Sequence, residues 1–268
     1  MLKVASEGAD DLLIILGSAY QAPTCQNPFS WEERAQMISA SLDSGMALGT
    51  KEHPVGLYFR PVRDNRSDNE EWRTAVIKTV ESFCASHYGD QAVTIVLNGV
   101  SKPGDASTWY LQYFPMWQYR AIDPESIPPL NATEVRANLF SGLDTWKEQV
   151  PAPVQDYLTR WIHTEEGTRL TKEYHAEQRE KQRAAAYSDP LTYTTSDAVV
   201  YHAGKVLVVR RTGELGNGLW ALPGGFIGAK SETCYQAAKR VAGSETGIEL
   251  QDAWCCTKER GGLVFDAP

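Results

Sequence analysis

The sequence predicts an α/β protein with two domains, and three observations carry this prediction. Through the first 162 residues, apolar runs alternate with segments of helical periodicity, the pattern of a parallel sheet covered by helices. Residues 165–183 are rich in charges of both signs and poor in large apolar residues, which is typical of a boundary segment. From residue 197 onwards, short strands around turns precede a helix. We therefore expect an α/β domain over residues 1–162, a charged linker or helix over 163–189, and a second α/β domain over 190–268.

The elements of the first domain follow from its pattern of apolar and polar residues. Residues 1–10 look like the end of a helix, and residues 11–17 form a near-continuous apolar strand that is covered on both faces. Ser30 starts the next helix with a capping box, because Glu33 follows three residues later. Further strands are expected at 57–62, 92–97 and 117–122, and further helices at 72–83, 107–114, 131–140 and 151–162.

The second domain begins with two predicted strands, at 197–202 and 205–210, around an Ala203-Gly204 turn, which is the pattern of a hairpin. Residues 219–222 lead into a glycine-rich turn, and residues 232–241 have helical periodicity.

The overall composition excludes several classes of function. The net charge is −8 and the pI is about 5.2, which argues against a general nucleic-acid surface or an anionic-membrane surface. No apolar run approaches the roughly 20 residues that a membrane span needs, and no signal-peptide pattern follows Met1. The five cysteines lack zinc-finger spacing, so we expect reduced thiols in a cytoplasmic protein.

Four segments of the first domain form a recognisable series, namely residues 13–38, VRDN at 62–65 with Trp72, residues 97–117, and NATEVR at 131–136. In their order and spacing they resemble the NMN adenylyltransferase half of the bifunctional family that joins this enzyme to a Nudix hydrolase. The resemblance implies a Rossmann-like nucleotidyltransferase domain that converts NMN and ATP to NAD and pyrophosphate. It also implies a set of nucleotide-binding residues, namely Gly17, Ser18, Asp64, Trp72, Lys102, Asp105, Thr133 and Arg136.

The chemistry of these residues leaves alternatives open. Thr133 and Arg136 lie in the first turns of a predicted helix, where backbone amides and a guanidinium can bind a triphosphate. The plain alternative is that Thr133 caps the helix and Arg136 is a surface arginine. Trp72 suits stacking on a nicotinamide ring, yet it also heads the apolar stripe of its helix, so core packing is at least an equal alternative and the two roles are compatible. Gly17 and Ser18 end a strand, where ligands bind in open α/β sheets.

The family's first strand and its His-x-Gly-His motif have no counterpart in the sequence, because residues 1–10 resemble the helix that follows them. The resemblance therefore implies a domain with its first strand missing, in a chain truncated at both ends. That strand would be central in the sheet, and each buried backbone group left unpaired costs roughly 1–3 kcal/mol. A partial reading of a longer, intact gene is one interpretation.

Residues 222–248 resemble the Nudix signature, with Gly225, Glu232, Arg240 and Glu245 at matching positions and one extra residue between Gly225 and Glu232. The resemblance implies an incomplete α/β/α Nudix domain, with Glu232, Arg240 and Glu245 as catalytic residues and Gly224 and Gly225 in the Nudix loop. Glu245 and Glu232 would hold Mg²⁺ (or Mn²⁺) against a pyrophosphate. Two of the three clustered glutamates are replaced, by Val241 and Ser244. Solvated helix carboxylates are the plain alternative for Glu232 and Glu245.

The leading hypothesis is an enzyme of NAD metabolism whose partners are ATP, NMN or NAD, and ADP-ribose-like nucleotides, without nucleic acid or membrane. Both activities are expected to be impaired in this copy. The alternative is a non-catalytic nucleotide-binding or regulatory protein, and assembly into a homo-oligomer is left open.

Overall fold

The computed structural model describes residues 2–43, 48–50, 52–65, 68–100, 111–126, 130–185, 194–228, 232–249, 257–259 and 262–264. The chain divides into two compact units, unit 1 (Met1–Thr171) and unit 2 (Lys172–Pro268). The boundary falls inside the charged segment, which forms one long helix. No helix in the described part of the chain is both long enough and apolar enough to cross a membrane.

Unit 1 alternates strands and helices, as the sequence predicts. Its strands are β1 (Asp11–Leu16), β2 (Gly56–Pro61), β3 (Val96–Val100) and β4 (Gln118–Ile122), and its helices are α1 (Leu2–Ala5), α2 (Trp31–Asp43), α3 (Asn69–Tyr88), α4 (Ala132–Phe140) and α5 (Ala152–Trp161), followed by α6 (Glu165–Ala185), which contains the boundary. Short 3₁₀ turns lie at Pro124–Ser126 and Asp144–Gln149.

The strands of unit 1 are parallel but form two separate pairs. β1 pairs with β2 from Asp11 opposite Gly56 to Leu16 opposite Pro61, and β3 pairs with β4 from Val96 opposite Gln118. Among the residues that the structure describes, no strand joins one pair to the other. The α/β class with parallel strands is therefore confirmed, and the sheet consists of two halves.

Two apolar clusters connect these halves. The first contains Leu12 of β1 and Ile122 of β4 together with Ala5 of α1. The second contains Val62, which follows β2, and Val76 of α3, with Leu97 of β3 packed against it. Because each cluster draws side chains from both strand pairs, burial of apolar surface holds the two halves together, and the described strands form no ladder of hydrogen bonds between them.

Two elements of unit 1 differ from the sequence-based expectation. β3 begins at Val96 rather than at residue 92, because β4 begins at Gln118, the partner of Val96, and leaves the earlier residues without a ladder. The helix expected over 107–114 is represented, among described residues, by a single 3₁₀ turn at 111–113.

After the end of α6, the described residues of unit 2 form short antiparallel pairs and one helix. The strands are β5 (Thr195–Asp197), β6 (Tyr201–His202), β7 (Lys205–Val206), β8 (Val209–Arg210), β9 (Trp220–Ala221), β10 (Gly224–Phe226), β11 (Thr257–Glu259) and β12 (Gly262–Val264), and the helix is α7 (Cys234–Thr246). The pairs are β5 with β10, β6 with β7, β8 with β9, and β11 with β12.

The predicted hairpin of unit 2 is confirmed at its turn, but the predicted strands 197–202 and 205–210 are each broken, because β5 pairs with β10 and β8 pairs with β9. β6 and β7 pair antiparallel across Ala203 and Gly204, whose φ angles are +48° and +76°. Positive φ at both central residues is the geometry of the two-residue turn that matches the twist of the flanking strands.

The helix of unit 2 begins later than expected and excludes Glu232. Thr233 is its N-cap, accepting a hydrogen bond from the backbone N–H of Gln236, whose side chain in turn accepts from the backbone N–H of Thr233. This reciprocal cap sets the start at Cys234. At the other end, Gly247 ends the helix in the left-handed conformation, with φ of +72°.

Candidate functional site

The carboxyl ends of β1 and β2 are joined through Asp64. Its Oδ1 accepts a hydrogen bond from the backbone N–H of Ser18 at 2.9 Å, and its Oδ2 accepts one from the Ser18 hydroxyl. The Gln21 amide donates to the same Oδ2 at 3.3 Å. Gly17 lies against this carboxylate, since a Cβ added to Gly17 would stand 3.5 Å from Asp64 Oδ1. The structure thus brings together Gly17, Ser18 and Asp64, which the sequence analysis selected separately.

The turn after β1 has an uncommon backbone conformation. Ser18 and Tyr20 have φ angles of +52° and +61°, a region that costs a side-chain-bearing residue roughly 1–2 kcal/mol. Ala19 between them is 1% exposed, and its backbone N–H donates to the Val62 carbonyl at 3.1 Å. The turn after β1 is therefore anchored on two residues that follow β2, Val62 and Asp64.

Arg34 of α2 belongs to the same place and was not selected from the sequence. Its guanidinium donates to the Gly17 carbonyl at 2.7 Å and to the Ser30 carbonyl at 3.4 Å. Burial lowers the pKa of Arg34, and the nearby Asp64 carboxylate opposes that shift. The sequence carries a partial signal, because Ser30 four residues earlier is the predicted helix start and places Arg34 in the first turns of that helix. The direction in which Arg34 faces depends on the packing of α2.

Thr133 and Arg136 form a second group, on α4. The Arg136 guanidinium donates to the Thr133 hydroxyl at 3.4 Å, and burial lowers the pKa of Arg136. The helix cap is Asn131, whose side chain accepts from the backbone N–H groups of Thr133 and Glu134. Thr133 is therefore not the residue that begins the helix, and its hydroxyl faces Arg136 instead.

Trp72 is half-buried at the border of the core of unit 1. Its ring meets Phe114 edge to face, with 5.9 Å between centroids, and it borders the cluster of Val62 and Val76. This placement favours the core-packing alternative for Trp72. Lys102 and Asp105, the remaining nucleotide-binding predictions of this half, lie outside the described residues.

In unit 2, Glu232 and Arg240 form an ion pair. Arg240 donates from Nε to Glu232 Oε1 at 2.7 Å and from a terminal nitrogen to Oε2 at 3.0 Å, and the backbone N–H of Gly228 donates to Oε2 at 2.5 Å. The hydrogen bond to Glu232 raises the pKa of Arg240. The Glu232 side chain is 12% exposed and precedes α7, so a solvated helix carboxylate does not describe it.

The glycine-rich segment contacts the far end of α7. The backbone N–H of Gly224 donates to Glu245 at 3.3 Å, and a Cβ at Gly225 would stand 3.4 Å from the Val241 side chain. A Cβ at Gly224 would overlap the Asp197 carboxylate on the paired strand. A larger residue at position 224 would therefore displace the Asp197 side chain and sit tightly, at 3.1 Å, against the Asp197 Cα, independently of any ligand.

The donor set on α7 does not fit a metal site built from several carboxylates. Val241 is buried and offers no oxygen, and the Ser244 hydroxyl donates to the Val241 carbonyl at 2.9 Å. Glu245 is the one carboxylate within α7. Glu232 already has both oxygens in contact with Arg240 and Gly228. A hard cation such as Mg²⁺ takes several oxygen ligands, so these residues would hold it weakly.

Comparisons with known proteins find two kinds of relative, Nudix domains and adenylyltransferases. Residues 193–263 match the family model of the NUDIX domain. A nicotinamide-nucleotide adenylyltransferase of Thermococcus sibiricus is 27% identical over 159 residues, which are 59% of this chain and 73% of that protein. A nicotinamide/nicotinic acid mononucleotide adenylyltransferase of Acinetobacter baylyi is 28% identical over 144 residues, which are 53% of this chain and 66% of that protein.

Solved structures extend the similarity to both units. A bifunctional NMN adenylyltransferase/ADP ribose pyrophosphatase from Francisella tularensis, complexed with AMP and a manganese ion, is 28% identical and covers 92% of this chain and 68% of its own, with a TM-score of 0.75. A second structure of such a protein from the same organism is 27% identical, covers 93% and 69%, and has a TM-score of 0.78. The family resemblance in the sequence is thereby confirmed, and it associates the chain with NAD metabolism.

Proposed function

Because the chain is similar to bifunctional NMN adenylyltransferase/ADP ribose pyrophosphatases, we propose that unit 1 is a nucleotidyltransferase domain for ATP and NMN. Unit 2 is the Nudix domain of the same pair, with ADP-ribose-like nucleotides as its ligands. The observation that carries the proposal is the joining of Gly17, Ser18 and Asp64 at the carboxyl ends of two parallel strands, the edge at which open α/β sheets bind ligands.

Adenylyl transfer needs positioning and charge neutralisation rather than a covalent enzyme intermediate. The NMN phosphate attacks the α-phosphorus of ATP and pyrophosphate leaves, so the protein must align two phosphates and offset their charge. In unit 1, Arg136 beside the N-terminus of α4 supplies a guanidinium for the triphosphate, and Thr133 orients it. Mg²⁺ (or Mn²⁺) enters with the triphosphate as part of the substrate.

We propose that both activities are low in a chain of these 268 residues. The sequence contains no His-x-Gly-His segment, so the charge that those histidines supply to the triphosphate in the family is not available from that motif. In unit 2, Glu245 is the carboxylate of α7 that remains for a metal. Loss of one well-placed charge-stabilising group costs about 10²–10³-fold in rate.

A second function, non-catalytic nucleotide binding, is favoured by the state of unit 2. The Glu232–Arg240 ion pair and the Gly224–Glu245 hydrogen bond keep the glycine-rich segment and α7 in contact, and Glu245 is the one carboxylate that α7 offers to a metal. Such a segment could bind a nucleotide while leaving its pyrophosphate intact.

The test of unit 1 is ATP binding by calorimetry together with NAD formation from NMN and ATP with Mg²⁺. We expect ATP to bind, Arg136→Ala to raise its Kd about 10–100-fold through loss of charge-assisted hydrogen bonds, and NAD to form slowly. Arg160→Ala, an exposed arginine on α5, is the control and should leave the Kd unchanged. An unchanged Kd for ATP in Arg136→Ala would mean that Arg136 does not contact the nucleotide and is only a surface arginine. Turnover of about 1–10³ per second would refute the impairment.

The test of unit 2 is release of AMP and ribose 5-phosphate from ADP-ribose with Mg²⁺ or Mn²⁺. We expect no metal-dependent release, because one carboxylate places the ion poorly and errors of about 1 Å cost roughly 10²-fold. Clear release that disappears in Glu245→Gln would mean that the altered motif still works and would exclude the non-catalytic alternative.

A further inference from the structure

The side chain of Tyr20, in the turn after β1, is exposed, and packing against other side chains does not explain its conformation. It is 60% exposed, although it directly follows Ala19, which is 1% exposed. Its φ of +61° is a conformation that tyrosine rarely adopts and that a glycine would adopt without strain. A strained backbone that holds an aromatic ring in solvent, next to a candidate ligand site, favours a functional reason for the ring.

Arg63 partners this ring from the other strand end. Its guanidinium carbon lies 5.3 Å from the centroid of the Tyr20 ring, within cation–π range. Arg63 precedes Asp64, which accepts hydrogen bonds from Ser18, two residues before Tyr20. The contacts that join β1 to β2 therefore also set the distance between Tyr20 and Arg63 before any ligand arrives.

We infer that Tyr20 and Arg63 form a stacking platform for the purine ring of the adenosine nucleotide, an assignment that rests on the function proposed for unit 1. An exposed tyrosine face and a guanidinium plane are the two surfaces on which nucleic bases stack. The positive charge of Arg63 selects against the other ring in the reaction, because the nicotinamide of NMN is a cationic pyridinium and would be repelled. The platform formed by Tyr20 and Arg63 therefore favours the adenine of ATP over the nicotinamide of NMN.

The experiment measures the Kd of AMP and of NMN for the full chain and for Tyr20→Ala, Tyr20→Phe and Tyr201→Ala. Loss of one stacked base contact corresponds to roughly a 10-fold change in affinity. We expect Tyr20→Ala to raise the Kd of AMP by about that factor and to leave the Kd of NMN within about twofold. Tyr20→Phe keeps the ring and should bind AMP as the parent does. Tyr201→Ala removes a comparably exposed tyrosine, 57% exposed in unit 2, and should change neither Kd.

A purely structural role of Tyr20 is separated by stability. Tyr20→Gly removes both the ring and the backbone strain, so we expect weaker AMP binding together with an equal or higher Tm. A Tm of Tyr20→Ala well below that of Tyr20→Phe, which has the same backbone strain, would mean that the ring supports the fold and would overturn the inference. Unchanged AMP affinity in Tyr20→Ala would overturn it as well, while leaving the proposed function intact. Failure of the parent chain to bind either nucleotide would overturn both.

Discussion

At the scale of single residues, Asp64 shows how one carboxylate organises a strand end. It accepts hydrogen bonds from the backbone and hydroxyl of Ser18 and from the amide of Gln21, and these donors come from the segment that follows β1. Arg34 adds a guanidinium on the Gly17 carbonyl. The turn is thus held from β2 and from α2, which offsets the cost of its left-handed residues.

We predict that Asp64→Ala lowers the free energy of unfolding of unit 1 by about 1–2 kcal/mol, through loss of its hydrogen bonds to Ser18. ATP binding should weaken in the same variant, because the turn is no longer preorganised. Urea unfolding and calorimetry give the two quantities. Asp156→Ala, an exposed carboxylate on α5, is the matched control. Equal stability of the two variants would mean that the Ser18–Asp64 contact contributes nothing.

At the scale of elements, α7 shows opposite demands on two glycines only four residues apart. Gly243 lies inside the helix, where a Cβ would meet the Ile248 carbonyl oxygen at an ordinary 3.5 Å. Gly247 ends the helix at φ of +72°, where a Cβ meets open space but the backbone conformation is strained for any other residue. The same substitution should therefore have opposite effects at these two positions.

We predict that Gly243→Ala stabilises unit 2 by about 0.5–1 kcal/mol, because alanine loses less backbone entropy in a helix interior. Gly247→Ala should destabilise it by about 1 kcal/mol, the lower end of the cost of a left-handed alanine. Thermal unfolding followed by circular dichroism measures both. A loss of stability in Gly243→Ala would indicate that the Ile248 carbonyl cannot accommodate the methyl group.

A second prediction at this scale concerns the start of α4. Asn131→Ala should lower the free energy of unfolding by about 1 kcal/mol, since its side chain caps the backbone N–H groups of Thr133 and Glu134. Thr133→Ala should cost less, because the Thr133 hydroxyl contacts Arg136 rather than the backbone. Urea unfolding measures the free energy of unfolding of the two variants. A larger decrease in Thr133→Ala than in Asn131→Ala would mean that Thr133 is the capping residue.

At the scale of the whole molecule, the two units differ in what holds them together. Unit 1 has parallel strand pairs joined by apolar clusters. In unit 2 the described residues form short antiparallel pairs and helix α7, whose buried face contains Ala237, Val241 and Ala242. In unit 1, two tyrosines link separate elements. Tyr157 of α5 donates to Glu33 of α2 at 2.6 Å, and Tyr88 at the end of α3 donates to Asp11 of β1.

These tyrosines predict an alkaline loss of stability. Burial, followed by the hydrogen bond to a carboxylate, raises the pKa of both Tyr88 and Tyr157 well above their ordinary value of about 10. A tyrosine whose pKa is raised holds its proton more tightly in the folded chain. Its contribution to stability is fully present below pH of about 10 and is lost as pH rises towards the folded-state pKa.

We expect the Tm of the chain to fall as pH increases above about 10, and the Tyr88→Phe/Tyr157→Phe variant to start lower but fall less steeply. Scanning calorimetry between pH 8 and 11 (roughly one unit beyond the unfolded pKa) measures the slopes. Tyr201→Phe, on the exposed hairpin of unit 2, serves as the control. Identical slopes in the parent and the double variant would mean that neither tyrosine is linked to folding.

Much of this protein was determined by the sequence alone. Apolar runs and helical periodicity predicted parallel strands wrapped by helices, and the Ala203-Gly204 pair predicted a hairpin, because these signals depend on neighbours within a few residues. The family resemblance likewise rests on local motifs, such as GS after the first strand and PGG before α7. Val241 and Ser244 are visible as substitutions without any coordinates.

Tertiary structure decided what depends on distant partners. β3 begins at Val96 because its partner strand β4 begins at Gln118, and this register cannot be predicted from the residues of β3 alone. Arg34 contacts Gly17 because α2 packs over the end of β1. Trp72 meets Phe114 in the core, and Glu232 pairs with Arg240 across the start of α7. Each is a side-chain contact set by packing, whose energy depends on the approach of two surfaces that periodicity alone cannot bring together.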